Sequence, residues 1–447
     1  MSESEVVAAV ASPPGVGAVS LIRMSGAGVF EVAEKMLSRF QAKNLQVRRA
    51  FRDDVLAENG GSIDDVVVVC YQGPSSYTGE DVVEISGHGG IHVTRRVLER
   101  ALECGARHAE AGEFSLRAFL NRKLDLTQAE AVMDLISAQT DMAAQAAREQ
   151  LSGSLGRAVA EVREQVIDLT AHVEAYIDFP EEDISPETGD ELQNSFQKLE
   201  DAVSELLGTA KRGRLLREGA RVAIVGPPNA GKSSLLNALL GYERAIVSEE
   251  AGTTRDTVEE VLDFDGFPVR LIDTAGLREE GSAIEKEGMA RARQRMSEAD
   301  LVLELADASQ VPSGRFSEDA LLVLNKVDLG EDEAWKDESV GESAIRISVL
   351  QEEGLQALRE EVARQLGGGE KENSGNVLIA INARHQECLR RAEVFLREAR
   401  EMLASGEEPE FVSLPLREAV QAVAEIAGRI DTEDILGSIF SQFCIGK

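Results

Sequence analysis

The feature that most constrains the fold is a glycine-rich segment near the middle of the chain, Gly226-Pro227-Pro228-Asn229-Ala230-Gly231-Lys232-Ser233. It fits the pattern GxxxxGK[ST], follows the apolar run 222–225 and leads into a helical run that starts at Ser234. This context predicts a phosphate-binding loop, because the glycines let backbone N–H groups wrap phosphates at a helix N-terminus. Lys232 is expected to reach the β- and γ-phosphates, and the Ser233 hydroxyl is expected to bind Mg²⁺.

Three elements after this loop occur in the order that a GTPase requires. Asp273-Thr274-Ala275-Gly276 ends the apolar run 269–272, where the Asp would hold the Mg²⁺ shell and the Gly amide would sense the γ-phosphate. Asn325-Lys326-Val327-Asp328 ends the run 321–324. A carboxylate there accepts from both the ring N–H and the exocyclic amine of guanine, which adenine cannot match. Ser348-Val349-Leu350 stands where a base-capping loop belongs, so the set predicts GTP binding.

A candidate switch loop, Gly252-Thr253-Thr254-Arg255-Asp256, lies before Asp273, and its Thr254 would complete the Mg²⁺ shell. In the small signalling GTPases, a Gln directly after the DxxG element orients the attacking water. Here that residue is Leu277, so another group must orient the water. Candidates follow in Arg278-Glu279-Glu280 and Glu285-Lys286-Glu287, and the residues alone do not choose among them.

Composition excludes several classes of function. Of the 447 residues, 80 are Asp or Glu and 47 are Lys or Arg, and the net charge of −33 disfavours a bulk surface for phosphate backbones or anionic membranes. Four widely spaced cysteines without a CxxC pair argue against a disulfide framework or a zinc site. The N-terminus lacks signal-peptide features, and no apolar run approaches the roughly 18 residues of a membrane helix. We expect a soluble, cytoplasmic protein.

Residue composition and hydrophobic periodicity change along the chain, which predicts a multidomain fold. Residues 1–120 mix short β-rich runs with turn signals and read as an α+β domain. Residues 121–217 have helical spacing and few breakers, and residues 369–447 read as helices again after a glycine-rich linker. Residues 218–368 alternate strands and helices, the pattern of a parallel sheet. The prediction is an α/β P-loop GTPase domain inserted into an α-helical bundle domain.

Several motifs outside the nucleotide-binding elements also form a recognisable set. They are Phe443-Cys444-Ile445-Gly446-Lys447 at the C-terminus, the 252–256 loop, and the N-terminal segments 78–84, 87–90 and 112–126. With the inserted GTPase domain, they closely resemble the MnmE (TrmE) family of tRNA-modification GTPases. The resemblance spans the whole chain.

The resemblance implies that residues 1–120 bind tetrahydrofolate and drive homodimerisation. The matching positions are Arg23, Glu84, Lys123 and the terminal Lys447. A pterin presents an amidine-like edge to a carboxylate such as Glu84, and Arg or Lys suits the carboxylates of the glutamyl tail. The ligand would be 5-formyl- or 5,10-methylene-tetrahydrofolate.

The resemblance also implies a route to hydrolysis. The G domains of two subunits would meet across the nucleotide and require K⁺, which occupies roughly the place of an arginine finger. Its ligands would be Asn229, Ser248, the Glu250 backbone and Thr253, with Ser248 standing where the family usually has Thr. The family's water-orienting acid falls on Glu285, so the expected catalytic set is Glu285, Lys232 and Thr254, and Ser248 joins the residues expected around GTP.

The resemblance also implies a partner, the FAD-dependent protein MnmG, in a heterotetramer. The two would install a (carboxymethyl)aminomethyl group on C5 of the wobble uridine of certain tRNAs. The charge of −33 predicts that tRNA is held mainly through the complex, or through a local patch such as Lys211-Arg212-Gly213-Arg214. Cys444 and His88 receive no catalytic role. Two alternatives stay open: a GTPase switch in ribosome assembly, and a folate-dependent transferase that needs GTP only for structure.

Overall fold

The computed structural model describes residues 5–178, 189–242, 261–273, 298–312, 317, 319–336, 344–367, 379–405, 407–428, 433–441, 443 and 445–446. Several residues singled out in the sequence lie outside these ranges: Ser248, Glu250, Thr253, Thr254, Thr274, Ala275, Gly276, Glu285, Cys444 and Lys447. For Asp273 the description is confined to its backbone. Two compact units result, Met1–Met133 with Gly156–Gln165 and Val420–Lys447, and Asp134–Leu155 with Val166–Ala419.

The first unit is built on a mixed sheet with the strand order β3-β4-β5-β2-β1-β6. Its neighbours pair antiparallel, apart from the parallel pair β1 and β6. The strands are β1 Val7–Val10, β2 Val19–Ser25, β3 Phe51–Leu56, β4 Ser62–Tyr71, β5 Val82–His88 and β6 Arg107–His108. The helices of this region are α1 Val29–Met36, α2 Ile91–Glu103 and α3 Glu113–Leu120.

The alternation of side chains along β2 decides what each face of this sheet carries. Ile22 and Met24 are fully buried in a core that also includes Val83 and Ile85 of β5. Because successive side chains of a strand point to opposite faces, Arg23 and Glu84 project from the other side of the sheet. The apolar face thus builds the core, and the opposite face presents the charged pair.

Helices dominate the chain after residue 125. They are α4 Leu126–Ser137, α5 Asp141–Leu151, α6 Ser154–Asp178, α7 Gly189–Gly208 and α8 Ala210–Glu218, then α9 Lys232–Tyr242 and α10 Leu355–Leu366 within the α/β region, and finally α11 Ala383–Ala404, α12 Pro409–Ala427 and α13 Glu433–Phe440. Among the described residues, no helix has the length and apolar character needed to cross a membrane.

A second sheet has the order β12-β11-β10-β7-β9-β8. Its strands are β7 Ala220–Val225, β8 Val261–Phe264, β9 Phe267–Asp273, β10 Leu301–Asp307, β11 Leu321–Asn325 and β12 Ile345–Arg346. All neighbours pair parallel except β8 and β9, which form a hairpin. The carboxyl ends of β7, β10 and β11 meet at one edge, where ligands of open α/β sheets bind. The predicted combination of α+β, helical and P-loop α/β regions is confirmed.

The core of the α/β region extends into helices that precede it in the chain. Ala143 and Ala146 of α5 and Leu215 and Leu216 of α8 belong to the same buried cluster as Val222 and its sheet neighbours. These helices therefore form a packed layer of the α/β region within the second unit.

Candidate functional site

The glycine-rich segment forms a tight loop between β7 and α9. Gly226 has φ +149°, and a Cβ there would collide with the carbonyl oxygen of Leu305 on β10. Asn229 adopts a left-handed conformation with φ +62°. The loop therefore curls back towards the N-terminus of α9, whose free amide groups suit an anion.

Lys232 lies over this loop. Its Nζ donates hydrogen bonds to the carbonyl oxygens of Gly226 at 2.9 Å and of Pro227 at 2.8 Å. Ser233 and Ser234 are exposed at the start of α9. One ammonium group, a helix N-terminus and an accessible hydroxyl fit a nucleoside triphosphate with its divalent cation.

Asn325 connects the phosphate loop to the base-capping loop. Its side chain is 3% exposed, Nδ2 donates to the Ala230 carbonyl oxygen at 2.9 Å, and Oδ1 accepts from the Val349 backbone N–H at 3.2 Å. The hydroxyl of Ser348, which is fully buried, donates to Oδ1 of Asp328 at 2.6 Å. This bond orients the Asp328 carboxylate.

Lys326 has a partner that the sequence did not reveal. Its Nζ lies 2.7 Å from Oδ2 of Asp307, and Oδ1 of Asp307 accepts from the backbone and hydroxyl of Ser309. Burial favours the neutral form of Asp307, yet the bonds from Lys326 and Ser309 outweigh it and hold the pKa below its ordinary value. Asp307 ends β10 beside Asn325 of β11. Its place at the end of a predicted strand could have identified it as a residue of the site.

The remaining residues predicted for the nucleotide site lie at the carboxyl edge of the second sheet or outside the residues that the structure describes. Ile224 of β7 pairs with Asp273 in the β7–β9 ladder, which places the Asp273 backbone beside the strand that leads into the phosphate loop. Leu350 is exposed at the base-capping loop. Within the described part of the chain, no group of three or more His, Cys, Asp or Glu side chains could hold a metal ion.

A second constellation lies on the N-terminal sheet. Arg23 and Glu84 face each other in the β2–β5 ladder, and the guanidinium Nη2 and Nε atoms lie 2.9 Å from Oε1 of Glu84. The hydroxyl of Tyr71 donates to Oε2 of Glu84 at 3.4 Å. The two predicted residues, 61 positions apart, thus form one ion pair.

Two aromatic rings flank Arg23, and the sequence analysis missed both. The guanidinium carbon lies 5.2 Å from the ring centroid of Tyr77 and 5.7 Å from that of Phe114. The Tyr77 hydroxyl is hydrogen-bonded to Ser115 Oγ at 2.8 Å. Their position in the sequence could have identified them, since Tyr77 adjoins the 78–84 motif and Phe114 lies within the 112–126 motif.

Lys123 lies beside Gly79, in the loop that follows Tyr77. A Cβ at Gly79 would lie 3.2 Å from Cγ of Lys123, and Asn121 Nδ2 donates to the Thr78 carbonyl at 2.8 Å. Near the C-terminus, Ile445 bridges Ala111. The structure therefore gathers Arg23, Glu84 and Lys123 around one loop.

The other reactive side chains of the sequence have structural settings. His88 Nδ1–H donates to Asp64 Oδ1 at 2.7 Å, and this bond raises the pKa of His88. Cys70, Cys104 and Cys388 are free thiols in buried positions. Burial raises the pKa of Cys70 to about 12, so its thiol is unreactive at neutral pH.

The parallel sheet, the phosphate loop at its carboxyl edge and the Asp328 carboxylate define the α/β region as a P-loop GTPase domain. Comparison with known proteins identifies the family. The description "MnmE helical domain" matches residues 126–444, and "GTP-binding protein TrmE N-terminus" matches residues 6–123. The chain belongs to the MnmE family of tRNA modification GTPases, and is itself a GTPase.

Individual relatives agree over their full lengths. The tRNA modification GTPase MnmE of Akkermansia muciniphila is 48% identical over 99% of this chain and 98% of its own length. That of Aquifex aeolicus is 44% identical over 99% of this chain and 100% of its own. The solved G domain of the T. maritima FeoB iron transporter is 28% identical over 33% of this chain and 98% of its own, with a TM-score of 0.25.

Proposed function

We propose that this chain is the potassium-stimulated, GTP-hydrolysing subunit of a complex that adds a (carboxymethyl)aminomethyl group to C5 of the wobble uridine of certain tRNAs. The one-carbon unit comes from 5-formyl- or 5,10-methylene-tetrahydrofolate. Family membership supports the tRNA-modifying GTPase. The observation that carries the folate part is the Arg23–Glu84 ion pair beside the rings of Tyr77 and Phe114.

Arg23 and Glu84 act at the same end of the folate, because their charged atoms are 2.9 Å apart. Glu84 accepts hydrogen bonds from the amidine-like edge of the pterin, while Arg23 and Tyr71 orient its carboxylate. An extended folate places its glutamyl tail well away from that edge. Lys123, which is exposed beside the Gly79 loop, is then the cation for the tail, together with Lys447.

GTP binds with its phosphates on the loop 226–233. When GTP binds, the Lys232 ammonium gives up its hydrogen bonds to the Gly226 and Pro227 carbonyls and donates to the β- and γ-phosphates instead. Asn325 keeps the phosphate loop and the base-capping loop together. Asp328, oriented by Ser348, accepts both donors of the guanine edge.

Two cations complete the proposed GTP site. When bound, Mg²⁺ and K⁺ neutralise charge that develops on the phosphates. Ser233 and Thr254 would hold Mg²⁺ through their hydroxyls, and Asp273 would hold the Mg²⁺ shell. Asn229, Ser248, the Glu250 backbone and Thr253 hold K⁺, and Glu285 orients the attacking water.

The protein acts as a homodimer and with the FAD-dependent MnmG partner in a heterotetramer. The MnmG partner would supply the flavin of this assembly. Analytical ultracentrifugation of the two proteins mixed in equal amounts, expected to give a species of four chains, checks the assembly.

Calorimetry with 5-formyl-tetrahydrofolate tests the folate part. The full-length protein and the exposed control Glu58→Gln are expected to bind, and Glu84→Gln to bind at least about tenfold more weakly, since a charged hydrogen-bond acceptor contributes about 1.5–3 kcal/mol. No binding by the unmodified protein would remove the one-carbon proposal and favour the GTPase switch in ribosome assembly.

Hydrolysis rates test the cation and water proposals. GTP hydrolysis is expected to be faster in K⁺ than in Na⁺ at equal ionic strength, and equal rates would end the potassium proposal. Glu285→Gln is expected to abolish both hydrolysis and modification while GTP still binds. Intact modification in that variant would favour a folate-dependent transferase that needs GTP only for structure.

A further inference from the structure

The negative charge of this protein is distributed very unevenly. Residues 1–123 carry 14 Lys and Arg against 16 Asp and Glu, a net charge of −2. Residues 124–447 therefore carry −31 of the total of −33. An anionic backbone is repelled by the latter region and meets almost no net repulsion from the N-terminal domain.

Within that domain, one acid-free stretch is rich in basic residues. Residues 35–52 contain six Lys and Arg and neither Asp nor Glu. The stretch connects α1 to the edge strand β3. We use the term basic strip for its five exposed cations nearest the strand, Arg39, Lys43, Arg48, Arg49 and Arg52.

The backbone of the basic strip is bonded to strand β4 of the sheet. Val47 forms a bridge with Cys70, and the Arg48 backbone N–H donates to the Cys70 carbonyl at 2.8 Å. The rings of Phe40 and Phe51 stack with centroids 5.8 Å apart and planes within 6°. This stacking brings together the two ends of the strip.

The cations at the two ends of the strip are paired with carboxylates, and the cations between them are not. Arg39 pairs with Asp54 at 3.3 Å and Arg52 pairs with Asp65. Arg48 donates to the Ser75 carbonyl at 2.9 Å and has no carboxylate partner among the described residues. The side chains of Lys43 and Arg49 form no ion pair or hydrogen bond with any described residue. The middle of the strip therefore carries uncompensated positive charge.

A second acid-free basic stretch, around Lys211-Arg212-Gly213-Arg214, is engaged in internal packing. Arg214 pairs with Asp300, and a Cβ at Gly213 would collide with the Ile381 backbone. Arg212 donates to the sulfur of Met142 at 3.7 Å. This leaves Lys211 as the exposed cation of that patch, so the local patch expected from the sequence is a poor surface for a polyanion.

We propose that the basic strip binds the phosphate backbone of the tRNA that is modified. The proposal rests on the function in tRNA modification and adds to it the surface that this subunit contributes. Exposed, unpaired Lys and Arg side chains neutralise phosphates and release counterions, without reading sequence. A few such contacts give weak, salt-sensitive binding, consistent with a subunit that holds tRNA mainly as part of a complex.

The test measures tRNA binding by the full-length protein through fluorescence anisotropy between 50 and 300 mM KCl. Lys43→Gln/Arg49→Gln is expected to lower the slope of log affinity against log salt by about 1.5, since each phosphate contact contributes about 0.7–0.9. At 0.2 M salt this corresponds to about tenfold weaker binding. GTP hydrolysis without tRNA is expected to stay unchanged.

The matched control is Lys198→Gln/Lys211→Gln, which removes the same charge from exposed positions outside the strip. It is expected to bind tRNA like the unmodified protein. An unchanged slope in the strip variant, or an equal loss in the control, overturns the proposal. So does lost modification with intact tRNA binding, which would assign the strip to a protein partner. In each case, modification and GTP hydrolysis by the unmodified protein still report separately on the proposed function.

Discussion

The hydroxyl of Thr140 donates a 2.6 Å hydrogen bond to the backbone carbonyl of Gly266. The same oxygen accepts from the Ala143 N–H at 3.2 Å, so Thr140 also caps the N-terminus of α5. Gly266 has φ +95° in the turn of the β8–β9 hairpin, and a Cβ there would lie 2.7 Å from the Met142 methyl carbon. One threonine therefore joins a helix to the hairpin whose second strand ends at Asp273.

Replacing Thr140 by Val tests this junction. The change keeps the side-chain shape and removes the hydroxyl, so both the cap and the bond to Gly266 are lost. We expect the free energy of unfolding to fall by about 1–2 kcal/mol in urea titrations followed by circular dichroism. Thr140→Ser keeps the hydroxyl and should stay within about 0.5 kcal/mol of the unmodified protein. No loss in Thr140→Val, or a loss in Thr140→Ser as large as that in Thr140→Val, would contradict the prediction.

Base selection is expected to reside in Asp328 and its support by Ser348. Asp328→Asn loses the acceptor for two guanine donors, and GTP affinity should fall by about 10²–10³-fold, because bonds to a charged group contribute about 1.5–3 kcal/mol each. The Asn amide donates instead, so xanthosine triphosphate should bind better than GTP. Ser348→Ala removes one orienting bond and should cost about fivefold. Fluorescent-nucleotide competition measures all three, and unchanged guanine preference in Asp328→Asn would contradict the assignment.

Ser115 is expected to act on the folate through Tyr77 and Arg23. Ser115→Ala removes the 2.8 Å bond that holds the Tyr77 hydroxyl. Because that ring lies against the Arg23 guanidinium, folate affinity should fall about fivefold, the effect of one hydrogen bond. Tyr77→Phe breaks the same bond from the other side and should give the same loss in calorimetry. A loss in one variant alone would show that the bond is not the cause.

Acid is expected to destabilise the first unit through Glu113. Burial alone would raise the pKa of Glu113, but hydrogen bonds from Arg107, the Glu110 backbone and Arg117 outweigh it and lower the pKa to about 2. Since the folded pKa lies below the ordinary value of 4.5, this stability is complete above about pH 4.5 and is lost as pH falls towards 2. The loss amounts to about 3 kcal/mol.

Thermal unfolding between pH 5 and pH 2.5 measures this dependence. Glu113→Gln should be less stable than the unmodified protein at pH 5, and the difference should shrink as pH falls. The exposed neighbour Glu110 supplies the control, since Glu110→Gln should leave the pH dependence intact. Parallel curves for Glu113→Gln and the unmodified protein would contradict the prediction.

The GTPase region was predictable because its determinants are local in the chain. A phosphate loop needs its glycines, Lys232 and Ser233 within eight consecutive residues, directly between a strand and a helix. The order of parallel strands then brings Asn325 and Asp328 to the same edge, since carboxyl ends coincide in such a sheet. The fold class of each region followed from periodicity for the same reason.

Tertiary structure decided the contacts between distant residues. The register of β2 against β5 makes Arg23 and Glu84 one ion pair, so that their side chains lie at one place on the sheet. Packing also committed Arg214 to Asp300 and left Lys43 and Arg49 exposed, although both stretches read as basic in sequence. Amino-acid order determines which chemical groups this protein has and which local elements they form. Which groups are neutralised, and which face solvent, depends on the strand register and packing that join distant segments.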